Sequence, residues 1–343
     1  MNAICPSVAT LQGETALSAI ETTSPFRAFV ALARQGRWGI PSIAVGIVLM
    51  TVLWLVAAFF AMIGISVIAK MRVGDEIGSI TDLISLGSGG PIVPVQLLAS
   101  IVVLWVVAPA VLWIVHKRAL PTLFGWHRRI ELSELRNAFI ACGLVTLLIF
   151  LLVPDPSHLL TARSGLTLAE WAAAFVPVTA LIILQSSAEE VVFRGYLVQL
   201  LANRFASPLI WAALPVVLFT AAHWDPAALP YMNAVALGSV LMFATAATIL
   251  LVVTGNLGAC MGYHAANNIF AFLVISPEGI VDAFALYTYP NLADPVWTVT
   301  DAMLFLGVEV ARTLLTLLLL LHGRSPLRII RRAGAGCAPV PVE

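Results

Sequence analysis

The residues Glu189 and Glu190, followed by Arg194, are the most unusual feature of this sequence. They come at the end of the segment 171–188, which contains no charged residue. On a helix Glu190 and Arg194 are four residues apart and share a face, so the guanidinium can neutralise this carboxylate. Glu189 points about 100° away from Glu190. In apolar surroundings its carboxylate is suited to taking a proton from water, which is the task of a general base in hydrolysis.

Two histidines and an asparagine follow on later segments. His223 ends one apolar stretch, and His264 and Asn268 lie one turn apart on the same face of another. Each pattern alone has a plainer explanation: a helix that becomes polar at an interface, a histidine at a helix end, or hydrogen bonds between membrane helices. Together they supply a base, imidazoles that exchange protons, and an amide that can stabilise an oxyanion. These are the groups needed to add water to an amide bond.

The composition places these residues in a lipid bilayer. The 343 residues are 60% hydrophobic and 10% charged, with a mean hydropathy of +0.99. A soluble domain typically has about 25% charged residues. Placing a charged group inside a membrane costs free energy, so charged residues in membrane helices indicate a functional site. The formal net charge is +0, so the protein has no excess of positive charge that would attract a nucleic acid, and we expect no nucleic-acid partner. The four cysteines have no CxxC spacing, which argues against a disulfide framework and a thiolate metal site.

Hydropathy predicts an all-α fold, a polytopic membrane bundle of about eight transmembrane helices. A bilayer core about 30 Å thick needs roughly 20 apolar residues in a helix. The stretch 226–277 has no charged residue and is too long for one helix, so a turn at 254–258 is expected to divide it. The other spans are expected near 39–69, 93–115, 137–153, from 171 onward, 208–223 and 296–321.

The distribution of Lys and Arg predicts that both termini are cytoplasmic, in what we expect to be the plasma membrane of a bacterium. No cleavable signal peptide is visible before the first span. The predicted organisation is a cytoplasmic N-terminal segment, three transmembrane helices, a core, an outer loop with the last helix, and a basic cytoplasmic tail. These parts cover residues 1–38, 39–168, 169–275, 276–322 and 323–343. Glu309 and Arg312 in the last span are three residues apart, and we interpret them as a structural ion pair.

The depths of the two histidines do not match in a simple arrangement of these spans. His223 would lie about 24 Å along its span, whereas His264 would lie only about 13 Å down its own, at 1.5 Å per residue. Either the fifth span begins deeper or is tilted, or residues 224–230 form a re-entrant turn that lines a cavity.

The three patterns, in this order, resemble the CAAX-protease and bacteriocin-processing family of intramembrane endopeptidases (CPBP, or Abi), of the type II CAAX prenyl protease kind. The family's EExxxR, FxxxH and HxxxN motifs read here as Glu189-Glu190-x-x-x-Arg194, Phe219-x-x-x-His223 and His264-x-x-x-Asn268. The residues that follow Val192, Phe193-Arg194-Gly195-Tyr196-Leu197, are also similar to that family. The resemblance covers roughly residues 170–275. Each motif is weak alone, whereas three in order are specific.

The resemblance implies a role for each site residue. It implies Glu189 as the general base on water, assisted by His223. His264 and Asn268 would stabilise the developing oxyanion, and the adjacent Glu190–Arg194 pair would support them. The implied substrate is a membrane-embedded peptide or a prenylated or otherwise lipidated protein in the bilayer.

The role of a metal is left open by the resemblance. The family is often described as metalloproteases, and Glu189, His223 and His264 could hold zinc. Neither histidine lies in an HExxH helix, however, and the same groups suffice for metal-free hydrolysis. We therefore expect no cofactor, with zinc as the alternative.

Two other classes of function compete with an enzyme. A non-catalytic CPBP-fold scaffold or regulator could have lost one of the six candidate site residues, but all six are present. A proton-coupled transporter would use the carboxylate and histidines as a proton relay. Such transporters often contain internal repeats, and the sequence has no second EExxxR segment. The sequence therefore favours the endopeptidase. A prenylated C-terminus, a bacteriocin leader and a membrane signalling peptide all remain open as substrates.

Overall fold

The computed structural model describes residues 24–73, 90–153, 159–163, 165–279 and 281–329. The expectations for residues 1–23 and for most of the basic tail, 330–343, fall outside these ranges. The described chain is a helical membrane bundle with one small sheet. Its helices are α1 (Pro25–Ala31), α2 (Ile40–Val73), α3 (Ile92–Val102), α4 (Leu104–His116), α5 (Leu132–Leu152), α6 (Leu168–Glu190), α7 (Gln199–Arg204), α8 (Leu214–Ala221), α9 (Pro230–Thr254), α10 (Leu257–Leu273) and α11 (Val299–Leu321).

Short helical segments join several of these helices. The π-helix Val191–Val198 runs directly from α6 into α7, and the π-helix Leu209–Ala213 leads into α8. Three short 3₁₀ segments lie at Leu32–Gln35, Leu120–Leu123 and Asp282–Phe284.

Among the residues that the structure describes, six helical stretches are long and apolar enough to cross a membrane. They are Ile40–Arg72, Ile92–His116, Leu132–Leu152, Leu168–Arg204, Pro230–Thr254 and Val299–Leu321. Their positions agree with six of the predicted spans, which confirms an all-α, polytopic membrane protein. The length of these helices follows from the thickness of the lipid bilayer, because an apolar helix must continue until its ends reach water.

The other two predicted spans are helices at the expected places, but they are shorter. The fifth comprises five π-helical residues followed by the eight residues of α8. It therefore extends about 20 Å, at 1.5 Å per residue, against a bilayer core of about 30 Å. The seventh is α10, with 17 residues and a length of about 26 Å.

The turn between α9 and α10 lies where the sequence predicts it. Gly255 ends α9 in the left-handed conformation, with φ of 62°, which glycine adopts without steric cost. Asn256 caps α10, since its side-chain oxygen accepts a hydrogen bond from the Gly258 amide. The Asn256 amide also donates to the carbonyl of Arg129 at 2.7 Å. The start of α10 is thus attached to the loop before α5.

Two glycines allow α10 to lie unusually close to α5. A Cβ added at Gly258 would be 2.6 Å from the carbonyl oxygen of Glu131, and one at Gly262 would collide with the carbonyl of Leu135. The two glycines are four residues apart and so share a face, the small-residue spacing that lets membrane helices approach. α10 also packs against α6 and α9. This central position puts His264 among the other site residues.

A small sheet covers one end of the bundle, which we call the sheet end. Its strands are β1 (Thr161–Ala162), β2 (Ile275–Pro277) and β3 (Tyr287–Tyr289), in the order β1-β3-β2. β3 pairs antiparallel with β1 and parallel with β2. The strands lie in the loops that follow α5 and α10, so these two helices end at the same side of the bundle.

The orientation of the bundle in the membrane stays a prediction. We expect reporter fusions after residues 90 and 285 to report the non-cytoplasmic side, because the positive-inside rule leaves few Lys and Arg there. A fusion at residue 343 should report the cytoplasm, and one after residue 125, between two membrane-crossing helices, serves as an internal cytoplasmic control. A cytoplasmic signal at 285 would contradict this orientation.

Candidate active site

Both carboxylates of the first motif lie at the end of α6. Glu189 and Glu190 are its last two residues, and the chain continues as the π-helix Val191–Val198. π-helical turns are rare and occur frequently at functional sites. Arg194 lies on this π-helix, and its Nη1 is 3.1 Å from Oε1 of Glu190. The ion pair expected from the sequence is therefore present.

His264 lies between the two carboxylates. Its Nδ1 is 2.7 Å from Oε1 of Glu190, and its Nε2 is 3.4 Å from Oε2 of Glu189. The His264 and Glu190 side chains are buried, whereas 12% of the Glu189 side chain is exposed. Because a carboxylate can only accept, Nδ1–H donates to Glu190. Nε2 is then placed to exchange a proton with Glu189 or with a group bound beside it.

Glu190 is held from several directions. Its Oε1 accepts hydrogen bonds from both His264 and Arg194, whereas its buried Oε2 has no hydrogen-bond partner among the described residues. Arg194 also donates to the carbonyl of Ala244 on α9 at 3.2 Å, and its guanidinium lies 4.6 Å from the ring centre of Phe219. Since neither charge reaches water, each depends on the other for compensation.

Asn268 is connected to Glu189 through a glutamine. Its amide donates to Oε1 of Gln185 at 3.1 Å, and Gln185 also contacts Glu189, one turn later on α6. Asn267 donates to Asn268 at 3.0 Å. An amide nitrogen carries two hydrogens, so Asn268 keeps one donor for a substrate oxygen. The sequence reasoning missed Gln185, although a polar residue one helical turn before Glu189 in an apolar stretch was a readable signal.

His223 approaches this group from α8. It lies in the turn after Ala221, and its Nδ1–H donates to the carbonyl of Phe219 at 2.8 Å. The ring of Phe219 lies between the two imidazoles, 5.0 Å from His223 and 6.0 Å from His264. Within the described residues no hydrogen bond joins His223 to Glu189 or to His264.

The short fifth helix accounts for the mismatch in depth. The contact of Phe219 with both imidazoles places the end of α8 level with the middle of α10. α8 ends at Ala221, about 20 Å after its helix begins, and the chain then continues without a helix to the sheet end, where the Leu229 amide donates to the carbonyl of Leu292. Residues 224–230 are therefore an irregular segment, as one of the open explanations expected, but they do not turn back to the side on which the fifth span begins.

The described residues do not present a ligand set for zinc. No three His, Cys, Asp or Glu side chains in this part of the chain are arranged to hold one metal ion. A protein zinc site needs at least three ligand atoms at about 2.0–2.3 Å from the metal. Nδ1 of His264 is engaged with Glu190 and Nδ1 of His223 with a backbone carbonyl, which leaves Nε2 of each imidazole for a proton or a metal ion. The absence of a cofactor stays a prediction, with zinc as the alternative.

Comparison with known proteins matches the same part of the chain. Residues 170–270 match the family described as type II CAAX prenyl endopeptidase Rce1-like. An uncharacterized protein of Bacillus subtilis (strain 168), YyaK, is 27% identical over 206 residues, which cover 57% of this chain and 67% of that protein. No solved structure gives a significant match. The matched segment contains every residue of the three motifs, so the resemblance read from the motifs is confirmed for this part of the chain.

Proposed function

We propose that this chain, whose residues 170–270 form an Rce1-like domain, is an intramembrane endopeptidase. It would hydrolyse a peptide bond in a membrane-embedded or lipid-anchored substrate. The observation that carries the proposal is the contact of a partly exposed carboxylate, Glu189, with an imidazole that a second, fully buried carboxylate orients. A base whose partner is held in turn by a third group is the arrangement that hydrolytic enzymes use to move protons.

The first step is addition of water. Glu189 accepts a proton from water, and the water oxygen forms a bond to the carbonyl carbon of the substrate. Negative charge then develops on the carbonyl oxygen, where the remaining N–H of Asn268 and the Nε2–H of a protonated His264 can donate. Because Glu189 is by then protonated, the negative charges are the Glu190 carboxylate and the oxyanion, and the positive charges are Arg194 and the imidazolium. This balance is favourable where water cannot solvate charge.

The second step is collapse of the tetrahedral intermediate. The proton taken up by Glu189 passes to the nitrogen of the leaving amine, the C–N bond breaks, and Glu189 returns to the carboxylate. His223 assists at this side, since its Nδ1–H is engaged with Phe219 and its Nε2 is left to accept a hydrogen bond from water or the amine. The pair Glu190–Arg194 does not react but fixes the imidazole.

The substrate class follows from the family. A type II CAAX prenyl endopeptidase-like domain suggests a prenylated C-terminal peptide, and an apolar single-span peptide is the second class. Both present their scissile bond at a membrane. No nucleic acid is expected as a partner.

A reporter assay tests the proposal. The purified full-length protein is placed in liposomes with two dye–quencher peptides, one farnesylated near its C-terminus and one a single-span apolar peptide. We expect the wild type to cleave at least one of them, and the Glu189→Gln protein to cleave neither measurably. If folded wild-type protein cleaves neither peptide, the scaffold interpretation replaces the enzyme.

Chelation tests the metal-free form of the proposal in the same assay. We expect cleavage to persist after exhaustive chelator treatment, with no zinc found by elemental analysis, because the described residues form no three-ligand set. Activity that disappears on chelation and returns with added zinc would contradict the metal-free mechanism.

A further inference from the structure

A cavity lies away from the carboxylates, at the sheet end of the bundle. It has a volume of about 280 Å³ and is bounded by α5, α10 and α11. Its walls are mostly apolar, with aromatic rings on all three helices: Phe150, Phe270 and Phe305. Polar side chains interrupt these walls: Thr146, Asn267, Glu309 and Arg312. This volume is near the lower end for small-molecule sites, about 300 Å³, and is enough for one or two side chains of a peptide.

The polar groups around this cavity keep unused hydrogen-bonding capacity. The hydroxyl of Thr146 is buried and has no hydrogen-bond partner among the described residues. Arg312 donates to Glu309 through Nε and Nη2. Among the described residues, the only hydrogen-bond partner of its Nη1 is the Cys142 sulfur, at 3.9 Å. The Glu309 side chain remains 28% exposed. Donors and acceptors for a ligand are therefore both present in an apolar enclosure.

The cavity lies on the same helix as the candidate active site. Asn267, in its wall, is three residues after His264 on α10 and donates to Asn268. Ala271, also in the wall, is seven residues after His264, which corresponds to about 10 Å along the helix. An extended peptide advances about 3.3 Å per residue, so three residues span that distance.

We propose that this cavity binds an unwound segment of the peptide substrate and receives the residue three positions from the scissile bond. The inference rests on the proposed endopeptidase function. A peptide must leave its helical conformation to be cleaved, and its freed backbone groups then need hydrogen-bond partners in the membrane. Asn267, Thr146, Glu309 and Arg312 offer those partners, while the aromatic walls select a large apolar side chain. The ion pair of α11 thus lines a specificity pocket.

A cavity-filling substitution tests this assignment. Ala271→Phe places a ring in the cavity, and Gly307→Phe places the same ring on an exposed site of α11 where nothing lies within 4 Å. For a reporter with Leu three residues from the cleaved bond, we expect Ala271→Phe to lower kcat/KM at least about tenfold, the discrimination that an apolar pocket provides. A reporter with Ala at that position should recover most of this loss, and Gly307→Phe should behave as the wild type.

A binding measurement separates this inference from the proposed function. The single-span reporter carries a benzophenone side chain, moved one position at a time, and is illuminated with the Glu189→Gln protein in liposomes. We expect adducts on residues 146–153 or 305–312, reduced at least about tenfold by Ala271→Phe and unchanged by Gly307→Phe. If Ala271→Phe does not fold, Val308→Phe fills the cavity from α11. Adducts elsewhere, none at all, or adducts insensitive to filling would overturn the pocket, whether or not the protein cleaves the peptide.

Discussion

Replacing Glu189 with glutamine is expected to lower turnover of a cleaved reporter by at least about 10²- to 10⁴-fold, the usual contribution of general acid–base catalysis. Glutamine retains the size of the side chain and can still accept a hydrogen bond from His264, but it cannot take a proton from water. Because Glu189 is partly exposed and carries no buried ion pair with an arginine, we expect the folded yield to be unchanged. Rates are measured in liposomes at matched protein concentration.

A matched control for this substitution lies on the same helix. Glu170 belongs to the exposed capping box at the start of α6, where Thr167 and Glu170 satisfy each other's backbone amides. Glu170→Gln changes the same atoms at a helix end and should leave turnover within about twofold, since a cap contributes only about 1 kcal/mol to stability. Cleavage by Glu189→Gln at the wild-type rate would refute the general base and, with it, the catalytic account.

Replacing Glu190 with glutamine is expected to destabilise the protein by about 3–5 kcal/mol, the effect of removing one partner of a buried ion pair. Arg194 is 1% exposed and would remain as a cation without its counter-charge. His264 would also lose the carboxylate that orients its Nδ1–H. We therefore expect a lower thermal midpoint and a lower yield of monodisperse protein in detergent, together with loss of activity.

A double substitution separates stability from catalysis at this pair. Replacing a buried ion pair by apolar groups of similar volume is often neutral for stability. Glu190→Leu combined with Arg194→Met should therefore recover much of the thermal midpoint, whereas turnover should stay low because His264 has lost the acceptor that orients its Nδ1–H. If Glu190→Gln alone is as stable as the wild type, the pair does not compensate buried charge and the described arrangement is wrong.

The sequence predicts the parts of this molecule whose cause is local. Helix positions follow from charge-free lengths, because the thickness of a bilayer fixes how long an apolar helix must be. The pairing of Glu190 with Arg194 follows from a spacing of four residues on one helix. The turn at Gly255 follows from residue types that adopt its backbone conformation.

The features that the sequence could not predict depend on contacts between distant segments. An apolar stretch at 208–223 looks like any other span, and only the structure shows that its helix ends at Ala221. To predict that His264 lies between two carboxylates, one must know how deep α10 lies in the bundle relative to α6. The periodicity of hydrophobic residues along one helix does not contain this information. The strands have two or three residues each, too short for an alternating pattern. The cavity at the sheet end is bounded by three helices, α5, α10 and α11, so no single segment of the sequence predicts it.

The short fifth helix has a consequence for the supply of water. Hydrolysis consumes a water molecule for each bond cleaved, yet a hydrocarbon layer contains almost none. α8 and its π-helical start leave about 10 Å of a 30 Å bilayer core without a helix at this position. His223 and Trp224 are exposed at its end, and the His223 ring lies 5.0 Å from the ring of Phe219. The non-helical residues 222–229 that follow α8 carry backbone groups that need hydrogen-bond partners in the membrane, so we expect water to accompany this segment and to reach Glu189 from the side.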